Sequence, residues 1–279
     1  MSAFDLWCYA MLTPLGATEV EDVVDDSIGE RFRLFFGWCG EAPLELLVVS
    51  DGNGFFGAAV DLVRLLQLPA VVPSMLVVGV GYASASTVAD TVSARQRDLT
   101  PSPVAQFPGS GGANAFRRFL RSTVLPRSRV VAPTLQHATY FGHSLGGLFG
   151  VHDLLAPDRL FDRHIISSPS LWWDNHALLH DELPEVATGD AFFCIGGDET
   201  DEGRRREGAV LPDGHAFKPP STYLDMVDDL QRFFALLRAR GAKRLRLASL
   251  VLPDEYHVTA APVALTRGLR WLFEGQERE

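Results

Sequence analysis

Long basic runs are missing from this 279-residue chain, and so is any surplus of positive charge: the formal net charge is −10. The densest cationic stretch, Arg204–Arg206, is flanked by acids and reads as a solvated turn rather than a ligand site. Such a surface repels a phosphate backbone on average, so nucleic acid is not an expected partner. Cysteine is scarce as well. Cys8, Cys39 and Cys194 form neither a CxxC pair nor a disulfide framework, which suits a reducing compartment. Cys194, inside the run Ala-Phe-Phe-Cys-Ile-Gly-Gly, reads as a buried small hydrophobe. The first thirty residues hold no Lys or Arg, so the basic segment that opens a secretory signal is not found in them. No apolar stretch reaches the ~18 residues of a membrane-spanning helix; the best, Ala70 to Ala83, is interrupted by Pro73 and glycines. The expectation is a cytoplasmic protein with no membrane partner.

What is present is apolar content enough for a deep core, 47% hydrophobic against 22% charged. At this length a single α/β domain spanning 1–279 is expected. Short apolar runs read as strands buried on both faces: Leu44–Ser50, Met75–Val80, Ala138–Phe141, His164–Ser167 and Ala191–Ile195. Such runs, without alternation, fit a parallel sheet covered by helices. Ser27–Trp38 alternates more loosely (Phe32, Leu34, Phe36) and predicts an antiparallel hairpin. Helical patterns fall at Phe55–Leu68, Asn114–Leu125, Tyr223–Arg240 and Pro262–Phe273; the third carries Leu224, Val227, Leu230, Phe234 and Leu237 as one stripe. Strands alternating with helices predict βαβ units and one mostly parallel sheet, helices on both faces. The Pro-, Gly- and Ser-rich stretch Asp98–Gly112 is a loop, and Asp198–Pro220 a second polar segment. Loops of this length are more often functional than idle.

The chemistry is announced by Gly142-His143-Ser144-Leu145-Gly146. This G-x-S-x-G sits directly after a β-rich run and before a helical one, the context of a nucleophile elbow, in which a strained turn lifts the serine above the sheet. A bare capping serine in a glycine-rich turn is the plain alternative; the flanking elements and Gly147 weigh against it. A serine hydroxyl needs a base. In the α/β-hydrolase order Ser, acid, His, the base is expected near the C-terminus. His257 is the only histidine in the last fifty residues, between the strand-like run Arg246–Pro253 and a helix starting near Thr259. His143 is expected to point elsewhere on its turn, and His152 lies in the following helix. His176 and His180 have i,i+4 spacing but lack a third ligand, so no metal is expected. The acid should follow Ala191–Ile195, where Asp198, Glu199, Asp201 and Glu202 compete and spacing does not choose. The oxyanion hole needs two backbone N–H groups: one from Leu145, the other from the loop Asp51-Gly52-Asn53-Gly54, with Asn53 preferred. That loop lacks the G-K-[ST] of a phosphate loop.

Together the motifs resemble the esterase family of α/β-hydrolases, in the branch of the enterobactin-type siderophore esterases. The matching residues are Val49-Ser-Asp-Gly-Asn53, Arg95-Gln-Arg-Asp-Leu-Thr-Pro101, Gly111-Gly-Ala-Asn-Ala-Phe116, Phe141-Gly-His-Ser-Leu-Gly-Gly147, Ser168-Pro-Ser-Leu-Trp-Trp173 and His257. The resemblance implies the α/β-hydrolase fold and a serine esterase acting on small-molecule esters, siderophore trilactones included, without a cofactor. Its Gly-x-x-Glu/Asp pattern matches Gly196-Gly-Asp-Glu199, which implies Glu199 as the acid with Asp198 in reserve. It also implies Arg95 and Arg97 as substrate-binding residues, against which stands a loop salt bridge to Asp98. Trp172 and Trp173 either wall an aromatic acyl pocket or simply pack. Two alternatives stay open at this point: an acyltransferase using the same acyl-enzyme, and a silent binding protein on a hydrolase fold. Oligomeric state is not legible.

Overall fold

The computed structural model describes residues 18–85, 87–180, 188–203, 225–239 and 245–274. Cys8, the Arg204–Arg206 run, most of Asp198–Pro220 and the ends of the Tyr223–Arg240 helix lie outside these residues. The hairpin is longer than the alternation alone suggests: β1 (Thr18–Asp25) turns into β2 (Glu30–Cys39). Asp25 organises the turn, its Oδ1 accepting from the Ser27 and Ile28 amides at 3.0 and 2.9 Å. The sequence pattern misses β1 because it is an edge strand, with Val20 and Val24 exposed among charged neighbours.

Six further strands follow: β3 (Glu45–Ser50), β4 (Met75–Tyr82), β5 (His137–His143), β6 (Arg163–Ser167), β7 (Gly189–Gly196) and β8 (Leu245–Leu252). They complete one sheet in the order β1-β2-β4-β3-β5-β6-β7-β8. Pairing is antiparallel from β1 to β4 and parallel from there to β8. This is the α/β-hydrolase arrangement expected from the run of βαβ units.

The helices are α1 (Gly52–Gln67), α2 (Val88–Asp98), α3 (Ala113–Phe119), α4 (Leu125–Val131), α5 (Leu145–Leu155), α6 (Trp173–His180), α7 (Met226–Ala239) and α8 (His257–Phe273). Period-two alternation along the strands divides the core between the faces. Leu47, Val49, Phe141 and Ile165 pack with Val63 of α1 and Leu269 of α8 on one side. Leu46, Val48, Tyr140 and Ile166 meet Phe149 of α5 and Phe233 of α7 on the other. Each buried side chain of this size contributes about 1.5–3 kcal/mol relative to exposure.

One helical expectation needs correction, and one helix has no sequence expectation behind it. Asn114–Leu125 is not one regular helix: α3 and α4 are joined by a π-helical turn, Leu120–Val124, in which the Leu125 amide bonds the Leu120 carbonyl. Pro126 supplies the reason, since it has no N–H for the carbonyl four residues back and the ladder shifts register there. Helix α2 left no apolar stripe to read. It is held instead by a reciprocal cap, Asp90 N to Thr87 Oγ1 at 3.1 Å and Thr87 N to Asp90 Oδ2 at 3.0 Å.

The loop from 99 to 112 is tied to the body: Gly112 N donates to Arg97 O at 2.8 Å, and Trp173 Nε1 to Ser102 O at 3.0 Å. Cys39 and Cys194 are buried free thiols whose pKa burial pushes up to about 11 and about 12. Among the described residues no helix is long and apolar enough to cross a membrane.

Candidate active site

Strand β5 ends at His143 and α5 begins at Leu145, leaving Ser144 alone in the turn with φ 60° and ψ −118°. A non-glycine residue in such a region costs on the order of 1–3 kcal/mol, so the surroundings must hold it. They do: Ser144 N donates to Ser167 O at 3.0 Å, and the Ser144 carbonyl accepts from Leu148 N at 2.9 Å and Ser170 N at 3.1 Å. The glycines of the motif follow from the tightness of the turn. A Cβ on Gly142 would collide with the Gly146 carbonyl, and one on Gly146 with Ser50 Oγ. The first amides of α5 lack partners within the helix and make the space beside Ser144 favourable to negative charge.

One strand further, β6 ends, and beyond it β7 delivers Glu199 on the turn after Gly196. The Glu199 side chain is 1% exposed. Its Oε1 accepts from Ser168 Oγ at 2.5 Å and Gly196 N at 2.9 Å, while Oε2 lies 2.6 Å from His257 Nδ1. Burial alone would raise this carboxyl; the hydrogen bond and charge of His257, with the Ser168 and Gly196 donors, bring it below its ordinary value. Of the four competing acids the structure therefore brings Glu199 to the histidine. Asp198, Asp201 and Glu202 are less buried.

His257 is the first residue of α8, which starts two positions before the start expected near Thr259 and five before the apolar pattern from Pro262. Beside it stands a residue expected to face away. The His143 ring packs 4.5 Å, centroid to centroid, from that of His257, and its Nδ1 is 3.0 Å from Ser167 Oγ. Strand alternation explains the correction: His143 shares the face of Phe141, toward α1 and α8, and Phe55 of α1 touches both rings. Burial, then the nearby His257 and Arg95, hold the His143 pKa well below the usual histidine value, which favours the uncharged ring.

Ser144, His143 and His257 line one cavity of about 370 Å³ with Asp51, Asn53 and Arg95. Asp51, at φ 56° and ψ 41°, turns the chain from β3 into α1. Its carbonyl accepts from Gly54 N and Phe55 N at 2.8 and 3.1 Å, while the Gly52 and Asn53 amides fall in the first turn, where a helix offers no acceptor. The Asn53 side chain is committed elsewhere, accepting from Tyr82 N at 2.7 Å.

Of the two arginines implied as substrate contacts, Arg95 lines this cavity, its Nε donating to Asp51 Oδ1 at 2.7 Å. Arg97 does not. It faces a separate cavity with Glu30 and Ser84 and is bound by Asp98 at 2.7 and 2.8 Å and Glu30 at 2.9 Å. Residues two apart on a helix point to different sides. Trp172 is likewise outside the Ser144 cavity; it is buried, bordering a third cavity with Phe107 and Trp173.

No protein-family model matches the chain. It is 29% identical over 272 residues to the siderophore triacetylfusarinine C esterase of Aspergillus fumigatus, covering 90% of this chain and 91% of that protein. It is 27% identical to the ferri-bacillibactin esterase BesA of Bacillus subtilis, over 91% of this chain and 89% of that one. Among solved structures it is similar to the siderophore hydrolase EstB from Aspergillus nidulans, with TM-score 0.76 and 24% identity over 96% and 99% of the two chains. Along at least 90% of its length the chain is thus similar in sequence to two siderophore esterases, and it shares its fold with a siderophore hydrolase.

Proposed function

We propose that the chain is a serine esterase that hydrolyses carboxylic esters through an acyl-enzyme, with siderophore esters of the trilactone kind as its substrates. The observation that carries this reading is the buried Glu199 carboxylate 2.6 Å from Nδ1 of a histidine that shares its cavity with the strained Ser144. With Nδ1–H donated to Glu199, Nε2 carries the free lone pair and takes the Ser144 proton as Oγ attacks the ester carbonyl. The amides of Leu145 and Asn53 are the donors for the oxyanion, each of this kind typically contributing about 10²–10³ in rate. His257 then protonates the leaving alcohol, and water activated by the same ring releases the acid. Arg95, fixed through Nε by Asp51, lines the cavity as a cation within it among the described residues, and so can meet the ester's polar groups.

The test pairs Ser144→Ala with a substrate panel of simple acyl esters and ferric and iron-free siderophore trilactones. Loss of p-nitrophenyl acetate turnover and of fluorophosphonate labelling in the variant is expected, with the trilactones preferred by the wild type. Turnover that survives Ser144→Ala removes the serine from the mechanism.

A further inference from the structure

Four residues at and just past the end of β6, Ser167–Ser168–Pro169–Ser170, set three hydroxyls against three parts of the site. Ser167 Oγ is 3.0 Å from His143 Nδ1, Ser168 Oγ donates to Glu199 Oε1 at 2.5 Å, and Ser170 Oγ lies 3.4 Å from Ser144 Oγ. All three serines are buried. Their backbone is anchored on both flanks, Ser168 N donating to Cys194 O at 2.7 Å and Ser170 N to Ser144 O at 3.1 Å. Ser168 also holds φ 43°, which glycine adopts freely and other residues avoid. The position thus carries a hydroxyl where the backbone alone would favour its absence.

We infer that this segment is a positioning rail for the site, and that Ser168 is the member that sets the acid by fixing the Glu199 carboxylate with its second oxygen toward His257. The inference rests on the proposed roles of Ser144, His257 and Glu199. Without the Ser168 hydroxyl, only the Gly196 amide of the acid's own turn would hold Oε1, and a glutamate has three side-chain torsions with which to drift. The charge on His257 develops in the transition state, so drift of its partner lowers kcat and leaves KM.

The experiment compares Ser168→Gly and Ser168→Ala, each alone and combined with Glu199→Ala, by kcat and KM for p-nitrophenyl acetate and by thermal unfolding. Both single variants are expected to lose roughly ten- to hundredfold in kcat with KM within about twofold. Their stabilities should part: glycine relieves the left-handed strain and keeps its midpoint near wild type, whereas alanine keeps the strain and melts lower. In the Glu199→Ala background neither change should cost further activity. Wild-type kcat in Ser168→Gly, or an equal loss without Glu199, overturns the inference. Full kcat in Glu199→Ala alone would instead overturn the acid assignment beneath it.

Discussion

Replacing Glu199 by glutamine should harm the enzyme more than replacing it by alanine. In the wild type Oε1 receives two donors, Ser168 Oγ and Gly196 N, and Oε2 faces His257 Nδ1. A glutamine has one acceptor oxygen, and the Gly196 amide, which cannot become an acceptor, claims it. The amide nitrogen is then left facing His257, so Nδ1 must accept and the ring proton moves to Nε2. That tautomer cannot take a proton from Ser144; a misassigned tautomer of this kind costs up to about 10⁴ in kcat. Alanine removes the carboxylate with its charge and acceptors but leaves the ring free to take either tautomer, so the main loss is electrostatic. Two unit charges about 4 Å apart interact by about 4 kcal/mol at an effective dielectric constant near 20. The 27% exposure of the His257 side chain argues for discounting this to about 2–4 kcal/mol, or roughly 30- to 1000-fold in kcat. Initial rates with p-nitrophenyl acetate at saturating ester rank the three enzymes. A Glu199→Gln enzyme as active as Glu199→Ala, or more so, refutes the tautomer argument.

Acidification provides another test. The folded-state pKa of His143 lies below the usual 6.5, so below that value the unfolded chain binds more protons and stability falls as pH drops. His143→Phe should therefore lose less of its melting temperature than wild type between neutral pH and about pH 5; an equal loss would assign the acid sensitivity to other groups. Arg95→Ala should leave Asp51 without its partner and cost about 2 kcal/mol in urea unfolding, with a raised KM. Arg97→Ala should alter stability while leaving kcat/KM within about twofold of wild type, since its guanidinium is spent on Glu30 and Asp98 in another cavity; a tenfold fall in kcat/KM would return it to the substrate.

Much of the fold and site is legible in the sequence, for physical reasons. The strands were legible because a sheet covered on both faces tolerates few polar residues: all of β3 and β4 is buried. Ser144 was legible because its turn brings Gly142 and Gly146 into contact and excludes side chains there. His257 followed from chain order. Among the four acids near Glu199, the choice depends on which side chain folds back over Gly196, and spacing carries no record of that. The position of His143 is carried by the alternation of the strand before its turn, which the turn's own sequence does not record. Ser168 and Ser170 stand within Ser168-Pro-Ser-Leu-Trp-Trp173, but they act across strands that only tertiary structure makes neighbours. Helix α2 was invisible because its cap, not an apolar stripe, defines it.

Ser144, Ser168, Glu199 and His257 follow β5, β6, β7 and β8, which lie side by side in that order. Sequence order and lateral order coincide, so each group is rooted at the end of the strand beside its neighbour's, adjacent strands lying about 4.8 Å apart. Their separations are inherited from backbone ladders rather than from the excursions between strands. Those excursions can lengthen, shorten or change composition while the hydroxyl, carboxylate and imidazole keep their intervals, so that the range of molecules admitted and the reaction performed on them are free to vary separately.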